Sequence, residues 1–83
     1  MAYEARITDA SSLGIALQQA RLASGMTQRD LAERLGTTQK YIWSLEQGKD
    51  SIAITRLLEA LSATGAIITL QIPEGDDAGR DDG

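Results

Sequence analysis

Apolar side chains recur along most of this chain at the three-and-four spacing of a helix, and near its end at the two-residue spacing of a strand. Leu13, Ala16, Leu17 and Ala20 stand at i, i+3, i+4 and i+7, which predicts one apolar helical face over 12–24. A second helix is expected over 27–35. Thr27 can cap it, Asp30 can complete a reciprocal capping box, and Met26 with Leu31 can form a hydrophobic staple across the cap. Leu31, Ala32 and Leu35 make its inner face. A third helix, over 39–47, is capped by Thr38, with Ile42 and Leu45 inward and Tyr41 beside them. A fourth, over 52–64, is capped by Ser51 and carries Ile54, Leu57, Leu58 and Leu61 as its inner stripe. Gly25, Gly36, Gly48 and Gly65 each follow one of these segments, where a helix favours a residue that accepts left-handed backbone.

After Gly65 the pattern changes. Residues 66–72 are rich in β-branched side chains, alternate Ile68, Leu70 and Ile72 with Thr69 and Gln71, and stop at Pro73. A lone strand is not stable in water. The chain offers only a weak second candidate, at 3–8, so the expected mate is the same strand of a second copy. Ile67, Ile68, Leu70 and Ile72 are then the dimer strand.

Length and composition narrow the function. Eighty-three residues make one small domain. A domain of this size buries only about 60% of its unfolded surface, which favours association. The chain has no cysteine and no histidine. That removes disulfides, thiolate metal sites, the commonest metal ligand and the usual general base, so no enzyme, metal or cofactor is expected. No apolar run approaches a membrane span and no signal-peptide pattern is present, so no membrane partner and a cytoplasmic address are expected. The net charge is −4, and all of it lies in 74–83; residues 1–73 carry seven basic and seven acidic side chains. A neutral domain can still bind DNA if its basic groups share one face. The Asp- and Gly-rich end, 74–83, reads as a disordered acidic tail.

The chemistry converges on 27–46. Two helices of about two turns each, joined tightly at Gly36 and Thr37, make the helix-turn-helix layout, in which the second helix lies in the major groove. Its free face holds Gln39, Lys40, Trp43 and Ser44 as base-reading candidates. Gln can pair bidentately with adenine and Lys with the acceptors of guanine. Phosphate candidates are Arg29, Thr38, Gln47 and Lys49, which flank that face.

The segment 27–46 resembles the Cro/C1-type helix-turn-helix family, also called the Xre family. The likeness rests on Gly25-Met26-Thr27-Gln28, Leu31-Ala32, Leu35-Gly36, Gln39, Ile42, Leu45-Glu46 and Gly48-Lys49, and covers about 12–65. It implies an all-α, lambda-repressor-like bundle of four to five short helices, with the C-terminal β-strand pairing across a dimer. The division expected is an N-terminal arm over 1–11, a DNA-binding domain over 12–65, a dimerisation strand over 66–73 and the tail. The resemblance also implies a structural salt bridge between Arg21 and Glu46, and a Gln28 that binds phosphate and braces residue 39. Trp43 stands where the family commonly has a small residue, so its ring must be accommodated at the DNA, against sugar or a thymine methyl.

The lead-in Asp9-Ala10-Ser11-Ser12-Leu13, the short fourth helix, the strand 66–72 and the acidic end resemble the HipB-type antitoxins more narrowly. That likeness implies a homodimeric repressor of its own operon, binding double-stranded operator DNA and restraining a HipA-type Ser/Thr kinase toxin. A stand-alone Xre regulator, or an interaction module that no longer binds DNA, fits the same residues.

Overall fold

The computed structural model describes residues 2–49 and 51–74. The elements run β1 (Ala2–Ile7), α1 (Ala10–Ala23), α2 (Gln28–Leu35), α3 (Gln39–Glu46), α4 (Ile52–Ala63) and β2 (Ile68–Pro73). Four helices dominate, in a compact helix-turn-helix bundle closed by a short C-terminal strand. Except for Glu74, the tail expected at the C-terminus lies outside the described residues.

Each helix starts where a short polar side chain satisfies amide groups that would otherwise lack partners. Thr27 and Asp30 form the reciprocal box: the Asp30 amide donates to Thr27 Oγ1 and the Thr27 amide to Asp30 Oδ2, both at 2.9 Å. Thr38 accepts from the Tyr41 amide and Ser51 from the Ile54 amide. Helix α1 begins earlier than its apolar spacing suggests. Asp9 is its cap, taking the Ser12 amide at 2.8 Å, while Ser12 Oγ accepts from the Asp9 amide at 3.0 Å. Serine replaces the usual longer acidic partner of such a box, which hides the signal in the sequence.

The interior has two parts. Ile7, Ala16, Leu58 and Ile72 form the main buried cluster, with Leu13, Ala20 and Ile68 packed against it. Ala32 and Ile42 are buried where α2 meets α3. Helix α1 lies between the two, against α3 on one side and the strands on the other.

The strand expectation needs correcting. β2 finds a mate within the chain: it pairs antiparallel with β1, from Ala2 opposite Pro73 to Ile7 opposite Ile68. The segment read as an N-terminal arm is thus a strand. Alternation places Tyr3, Ala5 and Ile7 on one face with Ile72, Leu70 and Ile68 across from them. Ile72 is buried and Ile68 half-buried in the chain's own core, so both are spent on folding this subunit. Ile67 precedes β2 and is exposed, and Leu70 is only partly covered.

Two inner faces also differ from the sequence pattern. Leu35 is 61% exposed, because α2 ends beside it and the chain turns away at Gly36. In α4 only Leu58 is buried and Leu61 half-buried, while Ile52, Ile54 and Leu57 are exposed. Between α1, the end of α3, α4 and Leu70 runs an apolar groove of about 320 Å³, lined in part by Leu13, Leu17, Leu45 and Ile54. No helix among the described residues is long and apolar enough to cross a membrane.

Candidate nucleic-acid interface

The turn between α2 and α3 is made by backbone geometry. Gly36 ends α2 in the left-handed region (φ 72°), and the Thr37 amide then donates to Ala32 O at 2.9 Å. A β-carbon would be strained at that φ. Three residues separate α2 from α3, which is pinned by Ile42, fully buried, and by Glu46, 5% exposed.

The far end of α3 is fixed by a close approach to α1. A β-carbon placed on Gly14 would stand 2.5 Å from Glu46 O and 2.6 Å from Leu45 O. Gly48, at φ +76°, likewise admits the backbone of Ser11, whose Cα would lie 2.7 Å from an added β-carbon. The sequence reading missed both contacts. A glycine in the interior of an amphipathic helix costs about 1 kcal/mol relative to alanine, and that cost is the available signal at Gly14: it points to a close packing contact.

With its inner side fixed, α3 presents Gln39, Lys40, Trp43 and Gln47 exposed and Ser44 half-buried. Arg29, Thr38 and Lys49 are exposed around it and Gln28 is half-buried. The structure joins some of these side chains. Gln39 Nε2 approaches Gln28 Oε1 at 3.5 Å. Lys49 Nζ sits 5.1 Å from the centroid of the Trp43 ring, within cation–π range. Thr38 Oγ1 is used as the cap of α3, which leaves its hydroxyl hydrogen available. Lys40, Ser44 and Gln47 share the α3 surface, and no side-chain hydrogen bond joins them among the described residues. Arg29 lies on the first turn of α2.

Behind this surface lies a buried ion pair. Arg21 Nε donates to Glu46 Oε2 at 2.5 Å and Nη2 to Oε1 at 3.1 Å, while Nη1 donates to Met26 O at 2.9 Å. The two side chains are 7% and 1% exposed. Gln28 Nε2 adds a third hydrogen bond to the carboxylate, to Oε1 at 3.0 Å. Burial by itself pushes the Glu46 carboxyl up, but the hydrogen bonds from Arg21 and Gln28 and the Arg21 charge outweigh it and hold the group below its ordinary value. Every buried side-chain nitrogen and oxygen among the described residues has a hydrogen-bond partner.

Two short helices at a fixed angle, the second anchored from behind and polar in front, define a helix-turn-helix, the class of protein that lays its second helix in the major groove of DNA. A family model described as a helix-turn-helix domain matches residues 12–67. The chain belongs to that family, in its Cro/C1/Xre type. Comparison with curated proteins gives no match, and comparison with solved structures gives none.

Proposed function

We propose that this protein is a sequence-specific, DNA-binding transcriptional repressor with no catalytic activity of its own. The observation that carries the reading is the division of α3. Ile42 and Glu46 fix it from behind, and Gln39, Lys40 and Trp43 stand exposed in front. In this reading Gln39 and Lys40, at the N-terminal end of the helix, meet base edges together with Trp43 and Ser44. Gln28, Arg29, Thr38, Gln47 and Lys49 meet phosphates on either side.

The repressor acts as a homodimer, because one helix-turn-helix reads only a half-site. The argument for a dimer rests on α4 rather than on an unpaired strand. Ile52, Ile54 and Leu57 are exposed, with Ile54 at the groove between α1 and α4, and a second copy would cover them. The finer reading is an antitoxin that represses its own operon in the cytoplasm and restrains a HipA-like Ser/Thr kinase toxin. The likeness of the lead-in 9–13 to that of the HipB-type antitoxins supports it, whereas the strand β2, which pairs within this chain, does not.

Binding of the full chain to the DNA upstream of its own gene tests the proposal. Affinity should fall steeply with salt, and the half-sites should lie about one helical turn, or a multiple of it, apart. Inserting about 5 base pairs, half a turn, between them should abolish tight binding. Affinity unchanged by that insertion would contradict the dimeric repressor. Co-purification with the product of an adjacent kinase-like gene tests the antitoxin role, and its absence would leave a stand-alone regulator.

A further inference from the structure

The ion pair behind α3 is connected to its outer surface by a chain of hydrogen bonds with only one possible direction. An ionised carboxylate accepts hydrogen bonds and donates none. Glu46 accepts two from Arg21 and one from Gln28, so the Gln28 amide must turn its NH2 group inward. Its carbonyl oxygen is thereby turned toward Gln39, which meets it with Nε2. What Gln39 has left is fixed in turn: its own Oε1 as acceptor and its second N–H as donor. A primary amide is nearly symmetric in shape, so packing alone cannot choose between this arrangement and its flipped form. A charge in the interior can.

Resting on the DNA-binding reading of α3, we propose that Glu46 is a positioning residue for sequence specificity. Through Gln28 it sets which end of the Gln39 amide faces which edge of the base. Reading adenine requires one amide N–H aimed at N7 and the amide oxygen aimed at the N6 amino group. With the direction of the chain fixed, Gln39 meets the base already in one of its two orientations. Without the carboxylate, Gln28 can flip, Gln39 can follow, and the reversed donor–acceptor pattern becomes as accessible as the correct one.

Among the described residues the second N–H of Gln28 has no hydrogen-bond partner, so a phosphate oxygen can be taken up without disturbing the chain. One glutamine thus links the interior charge, the backbone of the nucleic acid and the residue that reads a base.

The test is selection of binding sites from a randomised DNA duplex library by the full chain, wild type and Glu46→Gln, with Gln39→Ala to mark the base pair that Gln39 reads. A bidentate amide–base contact corresponds to a preference of about fivefold to 150-fold. Glu46→Gln should reduce the preference at the marked base pair at least about fivefold, and leave preferences at the other positions within about twofold of wild type. A preference retained at the marked position overturns the proposal. So does a loss spread evenly over all positions, which is what a purely structural role would produce. If the wild-type chain enriches no sequence, the DNA-binding reading fails and this inference falls with it.

Circular dichroism establishes that the variant is folded. If Glu46→Gln does not fold, the paired change Arg21→Met with Glu46→Met takes its place, since a buried ion pair can be exchanged for apolar side chains of similar volume without loss of stability. It leaves Gln28 without its interior acceptor, and the same position-specific loss is expected. Unchanged selectivity in that folded double variant is equally decisive against the proposal.

Discussion

Helices α1 and α3 approach so closely that no side chain fits between Gly14 and the Glu46 carbonyl, and the buried Arg21–Glu46 pair holds the same contact. Helix α4, although longer than α3 and richer in aliphatic side chains, buries only Leu58 and leaves Ile52, Ile54 and Leu57 in the open. The first region is polar, tightly fitted and closed. The second is apolar, loosely covered and open. Apolar content and burial therefore run in opposite directions here. The α1–α3 contact uses hydrogen bonds and backbone proximity to fix where α3 points, and α4 leaves apolar surface uncovered.

The comparison breaks most completely at the ion pair. Glu46→Ala leaves the Arg21 guanidinium buried without its partner and should cost about 3–5 kcal/mol, read from urea unfolding. A loss below about 1 kcal/mol would place the pair among solvated surface contacts. Gly14→Ala attacks the same contact through sterics. The added carbon needs more than half an ångström of backbone movement, and the variant should lose about 1–3 kcal/mol despite alanine's better helix propensity. Stabilisation by that substitution would show that α1 and α3 stand further apart.

Acid provides a third way to break the tight region. Glu46, Asp9 and Asp30 all have lowered pKa values in the fold: Glu46 through Arg21 and Gln28 against its burial, Asp9 and Asp30 chiefly through the backbone amides they cap. A carboxylate with a depressed folded pKa contributes stability that is present above its unfolded value, 4.5 for Glu46 and 3.8 for the two aspartates, and lost as pH falls through the folded one. The melting temperature should be flat near neutrality and fall on acidification below about pH 4.5. Glu46→Gln should show a shallower fall; an identical acid profile would remove Glu46 from the account.

The open region should answer differently. Leu57→Ser lies on an exposed face and should change the stability of the isolated subunit by no more than about 0.5 kcal/mol, yet weaken self-association measured by light scattering. A large loss of subunit stability would mean that α4 is part of the core. A similarly small effect is expected at the Trp43–Lys49 contact on the α3 surface. Trp43→Ala removes the ring beneath the Lys49 ammonium, which at an exposed site is worth about 0.5–1 kcal/mol, seen as weaker DNA binding.

Local signals made much of the fold legible. Thr27, Thr38 and Ser51 announced three helix starts because a cap acts within three residues, and Gly36 announced the turn. Signals that depend on distant partners were harder to read. The strand β1 alternates Tyr3, Ala5 and Ile7 with Glu4 and Arg6, but Ala5 is too small to make the pattern stand out, so the sequence alone hides the mate of β2. Apolar spacing in α4 marked a face without saying what covers it. The Arg21–Glu46 pair came from a likeness, since two charges separated by twenty-five positions carry no local signal. Its link through Gln28 to Gln39 became visible only once α1, α2 and α3 were placed together.

If the outer face of α3 reads bases, discrimination depends on Gln39. The most direct measurement is the affinity of wild type and Gln39→Ala for the selected operator and for each of its single-base variants at fixed salt. Gln39→Ala should lose about 1–3 kcal/mol on the operator, with discrimination abolished at one base pair per half-site and retained elsewhere. Discrimination that survives at every base pair in Gln39→Ala would contradict that reading of α3.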